Sequence, residues 1–540
     1  MSQVLLGLFS LPILGGLFLL LRAIRHWVRQ AHLRAVVPGP ARTSLVAGNL
    51  KQLFNLDAWG FLREIATYGK VVRILGLFGD TQLYVSDPKA LHHILVKDRY
   101  IYDETDMFIT SNSLVFGMGL LSTRGEHHRK QRKLLNPVFS IKHMRYMLPI
   151  FHGISHQLCD VFQKKIASGT QEIDVLDWMT RVALELVGQG GLGYSFESLD
   201  ENSSNLYGNA MKDFVPTVAS IQLIRQLLPW FSNIGTPTFR RYIAQNLPFK
   251  RLNRLVELSD IMDETSNAIL SAKRKALEKG DDAVVHQVGE GRDIMSILMK
   301  ANMEASEEDR LPDSELTAQM STLIFAAMDT TSNALSRIIH TLSENQDAQD
   351  KLRAELIKAR KEADGDLDYD TLHELPYMEA VCRETLRLYP PVLHMFRTTR
   401  KDVVLPLGTP IATKDSLLSE LFIPENTNVI VGIKAVNCDE TIWGPDANEW
   451  KPERWLGPLP ESVTSAGIPG VYSNTLTFLG GGRACIGFKF SQLEMKVVLA
   501  LLISTFRFSP GKTKYSFKSS NIVTPMVNGK PGMPLHIELA

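Results

Sequence analysis

Hydrophobic and polar positions alternate along most of the chain with the period of an α-helix. Apolar residues recur at three- and four-residue steps in three long segments, 255–277, 316–342 and 347–363, and this spacing places them on one face of a helix. Strand-like segments are few and short: 71–75, 83–85, 403–405 and 429–431. There is no alternating strand–helix repeat. The pattern predicts a mainly α-helical fold with small β-sheets at one side.

A long apolar run opens the chain. Residues 4–21 carry no charge and are polar only at Ser10; a helix of this length spans roughly 27 Å, close to the thickness of a thin bilayer. Arginines 22, 25, 29 and 34 follow it, which predicts a membrane anchor with the remaining chain in the cytoplasm. A cleaved signal peptide is the alternative, but its basic residues would come before the apolar run.

The segment Val37-Pro38-Gly39-Pro40 cannot continue a helix, because proline lacks the N–H that a helix needs. It therefore marks a boundary, and no later linker is as strong. We expect an anchor with its basic flank at 1–34 and one large domain at 35–540.

Charge and cysteine content exclude several classes of protein. The net charge is +1, which does not fit a general nucleic-acid binder. The four cysteines, Cys159, Cys382, Cys438 and Cys485, are far apart, so neither a disulfide framework nor a structural zinc site is expected.

The segment 478–487, Phe-Leu-Gly-Gly-Gly-Arg-Ala-Cys-Ile-Gly, carries the strongest chemical signal. Its glycines allow backbone conformations that side chains would block. A helix is expected at 488–502, and a thiolate near a helix start is stabilised by the dipole and by free N–H groups. A glycine-rich turn before a core helix would explain the glycines, but not Arg483 and Cys485 at these offsets.

This segment resembles the haem-binding loop of the cytochrome P450 family, Phe-x-x-Gly-x-Arg-x-Cys-x-Gly. The matching residues are Phe478, Gly481, Arg483, Cys485 and Gly487. The resemblance implies that Cys485 is the proximal ligand of the haem iron, that Arg483 pairs with a propionate and that Phe478 shields the sulfur. Thiolate ligation pushes electron density towards iron and favours O–O cleavage.

Two further segments resemble family motifs. Glu384 and Arg387 lie three residues apart on a predicted amphipathic helix, and Arg454 in the segment 450–455 would complete a structural network with them. Arg397 follows Pro390-Pro391, where the family places an arginine that binds the second propionate. The alternative for Arg397 is a solvated arginine at a strand edge.

The helix predicted at 316–342 contains Asp329 and Thr330. An acid and a hydroxyl are poor choices for a plain helical core, because both compete for backbone hydrogen bonds. The pair resembles the oxygen-activating segment of the family, which implies a proton relay in which Thr330 hydrogen-bonds dioxygen and Asp329 connects it to water. The sequence departs from the family at Ala327, where glycine is usual.

The segment 125–133 resembles the family helix that lies over a propionate. Arg132 matches the family arginine, and His128 stands where tryptophan is usual, so both are expected to contact the haem. Arg129, Lys130, Arg132 and Lys133 also form a basic run. We expect this run to steer an acidic reductase into place, although such a run is often only a solvated face.

The resemblance, over roughly residues 35–540, implies a single large domain and a fungal-type microsomal monooxygenase with haem b and NADPH electrons. NADPH-cytochrome P450 reductase would be the donor, with cytochrome b5 as a candidate second donor, in the endoplasmic reticulum membrane. By analogy with the family, the pocket would be lined by the 105–119 loop, Phe325 and Ala326, Val392 and Leu393, and residues 522–525. These are mostly apolar, which suits a terpenoid, a steroid or another lipophilic metabolite or xenobiotic. Two alternatives stay open: a haem-thiolate isomerase or dehydratase, and a non-catalytic lipid-binding membrane protein.

Overall fold

The fold is described from a computed structural model, which covers residues 21, 24–203, 206–279, 291–414, 416–472 and 474–540. Across these residues, no helix is both long and apolar enough to cross a bilayer. The apolar run of the anchor predicted at 1–34 lies outside the described residues, apart from residue 21. The chain forms two compact units, one from Met1–Thr105 with His394–Gly432 and one from Asp106–Leu393 with Ile433–Ala540.

The smaller unit is built on a mixed five-stranded sheet. Its strands are β1 (Val71–Leu75), β2 (Thr81–Val85), β3 (Tyr102–Asp103), β5 (His394–Thr399) and β8 (Asn428–Gly432), in the order β1-β2-β8-β5-β3. β2 and β8 run parallel, with Leu83 opposite Val429, and the other pairs are antiparallel. β2 is buried along its whole length, as expected for a central strand with both faces covered.

A hairpin and several short helices complete this unit. The hairpin pairs β6 (Val403–Ala412) with β7 (Leu417–Ile423), with an irregular register between Pro406 and Ile411. The α-helices are Ala31–Val36, Leu50–Leu53, Trp59–Thr67 and Pro88–His92, and a π-helical turn follows at His93–Lys97.

The larger unit is helical. Its longer α-helices are Asp106–Phe116, Gly125–Leu135, Ile141–Ala167, Val175–Leu186, Leu206–Ser220, Pro237–Asn246, Lys250–Lys279, Ile294–Glu304, Asp313–Glu344, Gln346–Glu362, Pro376–Leu388 and Phe488–Thr505. Shorter α-helices are Gln222–Arg225, Leu228–Phe231, Tyr369–Glu374, Ile433–Asn437, Glu440–Trp443 and Glu461–Thr464. Two three-stranded sheets join them: β4 (Glu172–Asp174), β13 (Pro534–Leu539) and β9 (Phe506–Pro510) in one, and β10 (Ser516–Lys518), β11 (Thr524–Val527) and β12 (Lys530–Pro531) in the other.

The Asp313–Glu344 helix is the centre of this unit. It packs against the helices Val175–Leu186, Lys250–Lys279 and Phe488–Thr505. Most of its residues are buried on every side, which is the pattern of a helix inside the core of a large domain. Its partner Phe488–Thr505 is buried from Gln492 to Ile503.

The mainly helical prediction is confirmed. The first two long predicted helices lie within Lys250–Lys279 and Asp313–Glu344. The third corresponds to Gln346–Glu362, and its predicted end is one residue too late. The four predicted strand segments fall inside β1, β2, β6 and β8.

Candidate functional site

The cysteine loop is held in shape by two glycines. Gly481 has a φ of +67°, a conformation that strains other residues. A Cβ on Gly480 would lie 1.5 Å from the carbonyl oxygen of Pro469, so no side chain fits there. The loop closes with a hydrogen bond of 2.9 Å from the Cys485 N–H to the Phe478 carbonyl, and Gly487 then caps the helix Phe488–Thr505.

The sulfur of Cys485 lies in a recess. The residue is exposed, yet protein atoms surround it, and this desolvation raises the pKa of its thiol. The Gly487 N–H and the positive charge of Arg132 act in the opposite direction and favour the thiolate. Behind the loop, the Phe478 ring packs against the rings of Phe488 at 5.0 Å and Tyr472 at 5.6 Å.

Two guanidinium groups converge on this loop. Arg132 donates to the Ala484 carbonyl at 2.7 Å, and Arg483 donates to the Thr123 carbonyl at 2.8 Å. Burial lowers the pKa of Arg132, with Arg483 as a further lowering charge, while Cys485 raises it. His128 is buried one turn before Arg132 on the helix Gly125–Leu135. The structure therefore gathers Cys485, Arg132, Arg483 and His128 in one region.

Asp329 and Thr330 lie in the middle of the Asp313–Glu344 helix. Thr330 donates its hydroxyl to the Ala326 carbonyl at 2.7 Å. Burial raises the pKa of Asp329 to about 7, and no hydrogen bond to its carboxyl group occurs in the described part of the chain. Ala326 is exposed and its neighbours Phe325 and Ala327 are half-buried, so the described residues leave this face of the helix open. The helix continues without interruption through Ala327.

Glu384, Arg387 and Arg454 are brought together. Arg387 makes a two-point contact with Glu384 at 2.7 and 2.8 Å, and the pair is fully buried. Arg454 reaches the same carboxylate at 3.4 Å. Arg387 also donates to the carbonyls of Asn437 and Ala447.

Arg397 lies in the smaller unit, on β5. It donates to Glu104 at 2.9 Å and is 1% exposed, so the solvated strand-edge alternative is wrong. Its Nη2 makes no hydrogen bond within the described residues. Its propionate role stays a prediction.

The basic run at 129–133 is only partly free. Lys130 donates to the carbonyls of Glu308 and Arg310, and Arg132 turns inward to Ala484. Arg129 and Lys133 have loose contacts with Glu126 and Asp309 and remain 71% and 75% exposed. Two of the four cations are thus open to a partner protein.

Two features escaped the sequence interpretation. Trp455 donates its indole N–H to Glu384 at 2.9 Å and is a fourth member of that network. Glu494, fully buried on the helix after the cysteine loop, faces the hydroxyl of Thr331, and burial raises its pKa well above the usual range. A carboxylate within an apolar helix nine residues after Cys485 was the signal that could have revealed it.

Comparison with known proteins agrees with this geometry. The sequence model of the cytochrome P450 family matches residues 38–532. Cytochrome P450 monooxygenase 91 of Postia placenta is 53% identical over 93% of both chains. A second monooxygenase of that fungus, number 81, is 49% identical over 96% of this chain and 94% of its own.

A ganoderic acid synthetase of Ganoderma lucidum is 44% identical over 91% of both chains. These similarities extend over nearly the whole chain, and the family-model match includes the cysteine loop. The chain belongs to the cytochrome P450 family of haem-thiolate enzymes, which receive electrons from a reductase.

Proposed function

We propose that this protein is a membrane-bound monooxygenase that inserts one oxygen atom from dioxygen into a lipophilic small molecule, with electrons from NADPH. The observation that carries the proposal is the Cys485 sulfur, which lies in a recess where the positive charge of Arg132 favours the thiolate, with Arg483 on the same loop. A sulfur ligand with flanking guanidiniums is the donor set that fits an iron porphyrin with its propionates.

The residues present fit a haem. Cys485 would ligate the iron, and Arg132 and Arg483, whose guanidinium groups lie at the cysteine loop, would hold propionate. His128 and Arg397 are further candidates for propionate contacts. Gly481 and Gly487 shape the loop, and Phe478 shields the sulfur from one side. The bound haem supplies the binding and reductive activation of dioxygen.

Asp329 and Thr330 would manage protons. The carboxyl group of Asp329, with a pKa of about 7, is a balanced proton donor and acceptor at neutral pH. The hydroxyl of Thr330 is anchored to the Ala326 carbonyl and still has oxygen lone pairs to accept a hydrogen bond. This pair supports monooxygenation over the isomerase or dehydratase alternative, whose members often lack it.

An apolar wall supports a lipophilic substrate. The rings of Phe116, Phe214 and Phe325 contact one another at 4.8 to 5.3 Å, and Phe325 adjoins the exposed Ala326. Aromatic surfaces of this kind bind flat or extended hydrocarbon well. The name of the Ganoderma relative, a ganoderic acid synthetase, favours a terpenoid or steroid-like compound of secondary metabolism.

The redox partner would be NADPH-cytochrome P450 reductase, with cytochrome b5 as a candidate second donor. Arg129 and Lys133 are exposed cations on the helix Gly125–Leu135, which contacts the cysteine loop through Arg132. They can attract an acidic flavoprotein. Such docking weakens as salt rises, because exposed charges are screened.

Membrane attachment has two supports. The uncharged run at 4–21 with its arginine flank fits a single-pass anchor in the endoplasmic reticulum membrane. The catalytic domain would then lie on the cytoplasmic side. In the larger unit, large apolar side chains are exposed between 230 and 247: Trp230, Phe231, Ile234, Phe239, Tyr242, Ile243 and Leu247. Such a dense apolar patch is typical of a surface that contacts lipid or a partner.

The decisive test is Cys485→Ser, with Cys438→Ser as the matched control because Cys438 is a partly exposed cysteine elsewhere. The control should keep the thiolate-type Soret band of the reduced carbonyl complex and NADPH-dependent oxidation, and Cys485→Ser should lose both. A Cys485→Ser protein that keeps the band would refute the assignment. Wild-type protein that stays colourless with ample haem would refute the function.

A further inference from the structure

A half-buried arginine with no carboxylate partner among the described residues lies outside the residues discussed so far. Arg225 ends the short helix Gln222–Arg225. Protein atoms surround its guanidinium, and this desolvation lowers its pKa from 12.5 to about 10. The group therefore stays cationic at neutral pH. The residue is nevertheless only half-buried by surface, so its side chain borders a recess.

The partners of Arg225 are neutral. Its Nε donates to the Ser111 hydroxyl at 3.3 Å, and its Nη1 donates to the Gln222 side-chain carbonyl at 2.7 Å. No carboxylate of the described residues lies within ion-pair distance of it.

Burying an unpaired cation is costly, and proteins seldom do so without a reason. Three fully buried cations of this unit follow the usual rule. Lys273 contacts Asp293, Arg387 contacts Glu384, and Lys496 contacts Glu379, each within 3 Å. Arg337 also lacks a carboxylate, but its guanidinium lies over the rings of Tyr389 and Phe517. Arg225 has neither a carboxylate nor an aromatic ring against it among the described residues, which leaves its charge available to an anion from outside the chain.

The side-chain amide of Asn112, the residue after Ser111, also lacks a partner among the described residues. Asn112 follows Ser111 on the helix Asp106–Phe116, and its side-chain nitrogen is buried without a hydrogen-bond acceptor among the described residues. A buried amide donor left unpaired also costs free energy. Asn112 is therefore a second polar group that the described residues leave without an acceptor, next in sequence to the Ser111 that Arg225 contacts.

The same helix reaches the aromatic wall. Ser111 and Phe116 are five residues apart, about 7.5 Å along the helix axis. Phe116 contacts Phe214 and Phe325, and Phe325 precedes the exposed Ala326. The helix Asp106–Phe116 therefore carries both Ser111, the hydrogen-bond partner of Arg225, and Phe116, one ring of the apolar wall.

We propose that Arg225 binds the carboxylate of the substrate, and that the substrate is an apolar acid whose hydrocarbon body lies against Phe116, Phe214 and Phe325. This inference rests on the proposed monooxygenase function. The planar guanidinium suits a carboxylate because it can donate two parallel hydrogen bonds to it.

The test compares acids with their methyl esters, which have the same body without the charge. The probes are decanoic, palmitic and abietic acids, each with its ester, measured on the full-length holoenzyme by equilibrium dialysis and by the spin-state change of the haem. Wild-type protein should bind at least one acid more tightly than its ester. Arg225→Met should weaken binding of that acid about 10- to 100-fold and leave the ester unchanged.

Three controls complete the design. Arg225→Lys should keep part of the preference for the acid, and Arg254→Met, which removes an exposed cation elsewhere in the larger unit, should change neither affinity. Without ligand, Arg225→Met should melt no lower than wild type, because it removes an unpaired buried charge. A purely structural arginine would instead lower the melting temperature and leave the preference for the acid intact.

Equal binding of every acid and its ester by wild type, or an undiminished preference in Arg225→Met, overturns the inference. Dialysis needs no haem chemistry. A protein that binds acids through Arg225 but lacks the Cys485-dependent Soret band would therefore refute the monooxygenase function alone.

Discussion

The acidity of Asp329 is set by its burial in the middle of the Asp313–Glu344 helix. A free aspartate has a pKa near 3.8, and burial raises that of Asp329 to about 7. No cation or hydrogen-bond donor of the described residues counteracts this shift. The carboxyl group is protonated below a pH of about 7 and becomes an anion above it.

We expect coupled product formation to fall as pH rises through about 7, because the protonated form of Asp329 is the proton donor. Asp329→Asn should lose this pH dependence and form product at less than about a tenth of the wild-type rate. The measurement is product formed per NADPH consumed, from pH 5.5 to 8.5.

Thr330→Ala is the matched variant for this prediction. It removes the neighbouring hydroxyl but leaves the carboxyl group, so it should divert NADPH into peroxide and retain the midpoint near 7. Undiminished coupling in Thr330→Ala would exclude Thr330 from the relay. An unchanged pH profile in Asp329→Asn would exclude Asp329.

The Glu384 network acts at the scale of elements. It joins the helix Pro376–Leu388 to the turn at Pro452–Trp455 and to the backbone at Asn437 and Ala447. Both Glu384 and Arg387 are fully buried, so each charge depends on the other for compensation. Removing one partner of such a pair costs far more than removing a surface pair.

Glu384→Gln should therefore lower the free energy of unfolding by about 3 to 5 kcal/mol. Asp260→Asn is the control, because it breaks the exposed pair with Arg241 and should cost less than about 1 kcal/mol. Urea unfolding followed by circular dichroism measures both. Equal losses in the two variants would show that the buried network is not a stabilising joint.

Elements with local signals could be read from the sequence. The helix Asp313–Glu344 has a clear apolar period, and the residues of the cysteine loop are contiguous. The sheet partners could not be read, because β2 and β8 are separated by more than 300 residues and pairing depends on the fold. The contact of Arg132 with Ala484, and the unpaired state of Arg225, likewise arise only from tertiary packing.

At the scale of the whole molecule, the exposed apolar patch at 230–247 is the feature that its own unit does not explain. A soluble surface rarely exposes so many large apolar side chains together. Arg241, Lys250 and Arg251 are exposed beside it, and cations at the rim of an apolar surface favour anionic lipid headgroups. The patch is therefore expected to enter the surface of the membrane to which the predicted anchor attaches the chain.

Trp230, which is 68% exposed within this patch, offers a direct readout. In the full-length protein reconstituted in vesicles, lipids brominated in the acyl chains should quench part of the tryptophan fluorescence. Trp230→Phe should remove a quenched component, because bromine quenches only at short range and Trp230 would reach the acyl chains. Trp443→Phe removes a buried tryptophan and should remove only unquenched emission. If Trp230→Phe leaves the quenched fraction unchanged, the patch does not enter the bilayer, and a protein partner would have to cover it.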